Sequence, residues 1–139
     1  MIKAILFDCF GVVLTVQDIR IDVMIDFIKT LKPAFKVGMV SNVIGRETIE
    51  RRFATGELDS LFDTVIASGE VGFEKPDHRI FDLAAEQLGV LPEECLFIDD
   101  IQEYCDAAAR IGMKTIRCID VTVCIEEIQT LIDSQSERY

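Results

Sequence analysis

Five short β-rich runs recur along the chain, each separated from the next by a longer segment that includes helix-forming sequence, and this alternation restricts the folds open to it. The runs are Lys3 to Phe7, Lys36 to Val40, Thr64 to Ala67, Cys95 to Ile98 and Lys114 to Arg117. Short apolar strands joined by helical crossovers make a parallel sheet with helices on both faces, an α/β fold. A chain of 139 residues holds enough apolar material for one core, so residues 1–139 read as a single domain.

The connections carry their own punctuation. In DVMIDFIKTLK, the residues Val23, Met24, Phe27, Ile28 and Leu31 form one stripe that ends at Pro33, which predicts a helix packed on the sheet. Pro76 and Gly89 bracket a second helix, and Gly112 stops a third. A C-terminal helix is expected to turn Val123, Ile128 and Leu131 toward the core, with DSQSERY fraying beyond it.

Charge narrows the function classes. A net charge of −11, with 14 scattered Lys and Arg, argues against a nucleic-acid partner, which needs a positive stripe. It also repels phosphorylated ligands unless a metal ion or a local lysine reverses the sign at the site. No apolar run approaches the roughly 20 residues that cross a bilayer. The first acidic residue, Asp8, comes too early for a signal peptide, so a cytoplasmic protein without a membrane partner is expected. The five cysteines are odd in number and form no CxxC pair, which favours buried thiols over disulfides or zinc.

Polar residues collect where the runs end. Asp8 follows the first, Ser41 and Asn42 the second, a loop holding Lys75 the third, and Asp99 with Asp100 the fourth. Right-handed crossovers bring these ends to one edge of a parallel sheet, where ligands bind. Each residue alone has a bland reading: a turn former at Asp8, a solvated loop lysine at Lys75, and helix caps at Ser41 and at the aspartate pair. As a set they converge on one crevice. A Cys9 thiol mechanism lacks a base, since the one histidine, His78, falls in a first helical turn.

The ordered motifs FDCFGVVL, VGMVSN, VGFEKPDHRIF and CLFIDDIQEYCDAAARIGM, between Ile2 and Arg117, resemble the haloacid dehalogenase-like (HAD) hydrolase superfamily. The resemblance implies a Rossmann-like doubly wound sheet in the order 5-4-1-2-3. It also implies a phosphatase mechanism in which Asp8 attacks phosphorus and water hydrolyses the aspartyl-phosphate. Mg²⁺ would be held by Asp8, the Phe10 backbone carbonyl and Asp100, with Asp99 as ligand or orienter. Ser41 and the backbone N–H of Asn42 would bind phosphoryl oxygens, and Lys75 would neutralise charge on nucleophile and phosphoryl group.

The sequence departs from that pattern in three places. Phe10 stands where such phosphatases carry a second aspartate as general acid and base, a loss of about 10²–10⁴-fold in rate. Only 33 positions separate Asp8 from Ser41, enough for a loop and one helix but not a cap domain. The crevice should therefore lie open to small or macromolecular phosphorylated substrates, unless a second copy of the chain covers it. Tyr104 replaces an asparagine common in related sequences. Three functions remain open: a Mg²⁺-dependent phosphatase-type hydrolase, a catalytically silent binding or regulatory module, and a carbon–halogen hydrolase whose leaving halide needs no proton.

Overall fold

The structure, a computed structural model, describes residues 1–136. In chain order its elements are Ala4–Phe7 (β1), Asp22–Lys29 (α1), Lys36–Ser41 (β2), Glu47–Glu50 (α2), Glu57–Leu61 (α3), Thr64–Ala67 (β3), Ser68–Val71 (α4), His78–Leu88 (α5), Cys95–Asp99 (β4), Gln102–Arg110 (α6), Lys114–Arg117 (β5) and Val121–Ser136 (α7). The strands form one parallel sheet in the order β3-β2-β1-β4-β5, the expected order read from the other edge.

Strand pleating divides the apolar residues between two cores. Ile5, Phe7, Val37, Met39, Leu96 and Ile98 pack with α1 and α7, through Met24, Ile25, Ile28, Cys124 and Ile128. Ala4, Leu6, Val40, Cys95 and Phe97 pack with α5 and α6. The second core is tight: the rings of Phe81 and Phe97 meet edge to face with centroids 5.0 Å apart. Burying each ring stabilises the fold by about 1.5–3 kcal/mol. Gly38 is required by this closeness, because a Cβ there would lie 2.7 Å from Leu6 Cδ2 and 3.2 Å from Leu88 Cδ1.

Helix ends follow local chemistry. Asp77 caps α5 by accepting from the Arg79 N–H at 3.0 Å, and Gly89 closes it in the left-handed conformation at φ +71°. In contrast, α1 stops at Lys29, before the expected Lys32. Lys32 precedes a proline, which disfavours helical backbone, and Thr30 and Leu31 already make tighter bonds to Phe27 and Ile28.

Two helices are phased differently from the sequence expectation. On α1, Val23 is 55% exposed and Ile25 is buried. On α7, Val123 is exposed, while the inward line is Cys124, Ile128 and Ile132, at strict fourth-residue spacing. The expected fraying from Asp133 does not begin there. The helix runs to Ser136 because the Gln135 amide clamps the Ile2 backbone, accepting from its N–H at 2.6 Å and donating to its carbonyl at 3.0 Å. The end of the DSQSERY segment lies outside the described residues. The loop expected after β3 contains a helical turn, α4. All five cysteines are buried and free.

Candidate active site

The site forms where the carboxyl ends of β1, β2 and β4 lie side by side. Asp8 follows Phe7 directly, and its N–H donates to the Ile98 carbonyl at 2.9 Å. Ser41 and Asp99 are the last residues of their strands, one position beyond the expected ends, because they pair in register with Ala67 and Arg117. Asp8, Ser41, Lys75 and Asp99 are the buried polar or charged residues among those described. Sequence reasoning named all four.

Lys75 sits at the centre. Its ammonium donates to Asp8 Oδ1 at 2.7 Å and to Asp99 Oδ2 at 2.8 Å. Burying a lysine this deeply is unfavourable unless it is paired. Burial acts to lower its pKa, but Asp8 and Asp99 override that and hold it above the usual lysine value. The side chain lies beside two rings, with Nζ 5.1 Å from the Tyr104 centroid and 5.7 Å from that of Phe97. Its backbone is held equally well: Asn42 Nδ2 donates to the Lys75 carbonyl at 3.0 Å and Asn42 Oδ1 accepts from its N–H at 2.9 Å.

The carboxylates exceed the cation. Asp8, Asp99 and Asp100 present oxygens within 4.8 Å of one another. Three carboxylates against one ammonium leave a formal charge of −2 in a largely buried space. Desolvation therefore raises the Asp8 carboxyl from 3.8 to about 7, against the opposing pull of Lys75, and Asp99 is raised for the same first reason.

These residues fit a divalent cation. Asp100 Oδ1 is buried with no hydrogen-bond partner, which is costly unless something positive occupies the space. Gly11, at φ +98°, leaves that space clear, since a Cβ there would collide with the Asp100 carboxylate. The Phe10 carbonyl accepts no backbone hydrogen bond from the described residues. Asp99 differs from Asp100, because both its oxygens are engaged, one by the Ile101 N–H at 3.0 Å and one by Lys75. Asp8, Asp100 and the Phe10 carbonyl could thus hold a cation, while Asp99 accepts from Lys75 and from the Ile101 N–H.

Arg117 was not singled out from the sequence, and Tyr104 entered there only as a departure from the family pattern. Tyr104 flanks Lys75, and its hydroxyl accepts a long bond from Asn42 Nδ2 at 3.4 Å. Arg117 Nε donates to the Asp100 carbonyl at 3.2 Å. Phe10 itself is half-buried against the first core and offers no titrating group. The Cys9 thiol is pushed up by burial and by the neighbouring Asp8, so it is no ready nucleophile, and His78 lies exposed beside Asp82. A groove of about 750 Å³ runs between α7 and β5 and is lined by Lys114, Ile116, Glu127 and Leu131, none of which belongs to the carboxylate cluster.

A family model for haloacid dehalogenase-like hydrolases matches residues 16–112. The chain belongs to this family. The HAD match takes in Ser41, Asn42, Lys75, Asp99 and Asp100 and begins after Asp8 and Phe10, whose place in the site rests on geometry. A glyceraldehyde 3-phosphate phosphatase of Methanopyrus kandleri is 34% identical over 97 residues, covering 69% of this chain and 41% of that protein. A GMP/IMP nucleotidase of Escherichia coli is 30% identical over 98 residues, 70% of this chain and 43% of that protein. The chain spans less than half the length of these curated relatives.

Solved structures extend the likeness of fold. A protein of Corynebacterium glutamicum superposes with a TM-score of 0.81 at 22% identity, covering 94% of this chain and 95% of its own. A HAD family enzyme of Bacteroides thetaiotaomicron, crystallised with magnesium and inorganic phosphate, superposes with a TM-score of 0.71 at 17% identity, covering 84% and 94%. No helix among the described residues is long and apolar enough to cross a membrane.

Proposed function

We propose that the chain is one HAD-type hydrolase domain that cleaves phosphate monoesters with Mg²⁺, using Asp8 as nucleophile. The observation that carries this reading is the cluster of three carboxylates, two of them buried and paired with Lys75, whose excess negative charge suits a divalent cation that would in turn meet an anionic substrate. When bound, Mg²⁺ supplies Lewis-acid stabilisation of charge on the phosphoryl oxygens.

The chain's own residues account for the rest. Lys75 fixes Asp8 through Oδ1, whose second lone pair would meet the cation, and leaves Oδ2 to attack phosphorus. Ser41 and the Asn42 backbone N–H hold the phosphoryl oxygens, while the Asn42 side chain keeps Lys75 in place. The leaving oxygen departs without a proton from position 10, because phenylalanine has none to give. Water then hydrolyses the aspartyl-phosphate. Phosphate release from 4-nitrophenyl phosphate, dependent on Mg²⁺ and abolished in Asp8→Asn, tests the proposal.

Phe10 and the short connection after β1 favour a second reading, a silent module that keeps the metal site for binding. A folded protein whose melting point rises with Mg²⁺ but which releases no phosphate from any ester supports that alternative. The carbon–halogen reading gains less, since Asp99 and Asp100 add negative charge close to Asp8, where a halide would have to leave.

A further inference from the structure

Exposed large apolar side chains stand on loops that leave the carboxyl edge of the sheet. Val16 (70% exposed), Ile19 (62%), Ile44 (87%) and Ile101 (42%) stand on the loops that leave β1, β2 and β4. Ile101 directly follows Asp100, and Ile44 lies two residues beyond Asn42. Their α-carbons are therefore about 4 Å and at most about 7 Å from those of the site residues. Single exposed apolar residues need no explanation. Four of them on three loops that leave the same edge of the sheet, two of them next to site residues in the chain, do.

Val16 and Ile19 belong to a turn that springs from the nucleophile loop. Gly11 N–H donates to the Leu14 carbonyl at 2.6 Å, and Thr15 N–H to the Ile19 carbonyl at 2.7 Å. The turn is anchored by its charged residues. Asp18, in the left-handed conformation at φ +67°, pairs with Arg51 at 2.9 Å and Arg52 at 2.7 Å. Arg20 grips Glu57 through two bonds of 2.7 and 3.0 Å and lies over the Phe53 ring. The charged residues Asp18 and Arg20 are tied to the body of the protein, while Val16 and Ile19 are left in solvent.

Phe10 points to the occupant. Without a proton donor there, the leaving group must carry negative charge well, as a phenolic oxygen does and an alkyl oxygen does not. A phenolic leaving group brings an apolar ring with it. The net charge of −11 further disfavours a leaving group with anionic substituents. From these three features we infer that Val16, Ile19, Ile44 and Ile101 form a subsite for an uncharged apolar leaving group, and that the substrates are aryl phosphate monoesters with an apolar extension. The inference rests on the phosphatase reading of the crevice.

Two measurements separate the subsite from the chemistry. In the first, the full chain with saturating Mg²⁺ is titrated with 4-methyl-, 4-ethyl- and 4-butyl-benzylphosphonate, which cannot be hydrolysed. The dissociation constant should fall about tenfold across the series, a fraction of the gain for complete burial of the added methylenes. The Ile44→Ser, Ile101→Ser double variant should flatten the series. In the second, kcat/KM for phenyl, 4-ethylphenyl and 4-butylphenyl phosphate, whose leaving groups have nearly equal pKa, should rise in parallel. A series already flat in the wild type, or unchanged in the double variant, overturns the subsite even if all three esters are cleaved. Chain-length-dependent binding without turnover keeps the subsite and overturns the phosphatase reading. Failure of every phosphonate to bind overturns both.

Discussion

Phe10→Asp places a carboxyl two residues beyond the nucleophile, where a leaving group could receive a proton. The structure sets both the gain and the cost. A positioned acid is worth about 10²-fold or more on an alkyl phosphate, and less on an aryl phosphate that hardly needs it. Full truncation of a buried phenylalanine costs about 3–5 kcal/mol, but Phe10 is only half-buried, so about 2 kcal/mol is the expected packing loss. The new carboxylate joins a cluster that already carries a formal charge of −2, from Asp8, Asp99, Asp100 and Lys75. The variant should therefore lose more stability at pH 8 than at pH 5 and recover part of it with Mg²⁺. Urea unfolding at both pH values, with and without Mg²⁺, establishes that the variant is folded, and phosphate release from an alkyl and an aryl ester then reads the chemistry. A folded, Mg²⁺-stabilised variant with no gain on the alkyl ester refutes the reasoning.

Lys75→Met leaves Asp8 and Asp99 buried without their cation and should cost about 3–5 kcal/mol in urea unfolding, more at pH 8 than at pH 5. A loss below about 1 kcal/mol at pH 8 contradicts the central role of the lysine. Because the folded Asp8 carboxyl titrates near 7 and its unfolded value is 3.8, its contribution to the metal-free protein is fully present below about 4 and is lost as pH rises toward 7. Mg²⁺ binds the ionised form, so it should raise the melting point more at pH 8 than at pH 5.5, and equal shifts count against Asp8 as a ligand. Tyr104→Leu removes the ring beside Lys75 and should lower kcat about tenfold with KM unchanged, whereas Tyr104→Phe keeps the ring and most of the rate. Identical losses in both variants assign the effect to the hydroxyl instead.

The sheet and its polar edge were legible because both are written in local pattern. Each strand is a short apolar run, and each site residue follows one closely. What the pattern could not give was pairing across the chain. Ser41 and Asp99 extend their strands only because Ala67 and Arg117 lie opposite them. Adjacent apolar residues on α1 allow two phases, and packing against the sheet chose Met24, Ile25 and Ile28 over Val23. The Gln135 clamp on Ile2 spans 133 residues of sequence. The same holds within the site: Asn42 and Tyr104 meet around Lys75 from loops and helices far apart in the chain, and no spacing rule announces it. Asp99 and Asp100 look alike in sequence, but only the hydrogen bonds from Lys75 and Ile101 distinguish the orienting residue from the available ligand.

Nucleophilic attack by Asp8 is the claim on which the rest depends, and covalent trapping tests it most directly. The protein is mixed with Mg²⁺ and 4-nitrophenyl phosphate, quenched in acid during turnover, digested and weighed by mass spectrometry. One added phosphoryl group is expected on the peptide containing Asp8, removed by hydroxylamine and absent from Asp8→Asn. Steady release of phosphate with no phosphoryl group on that peptide, and undiminished release by Asp8→Asn, would contradict it.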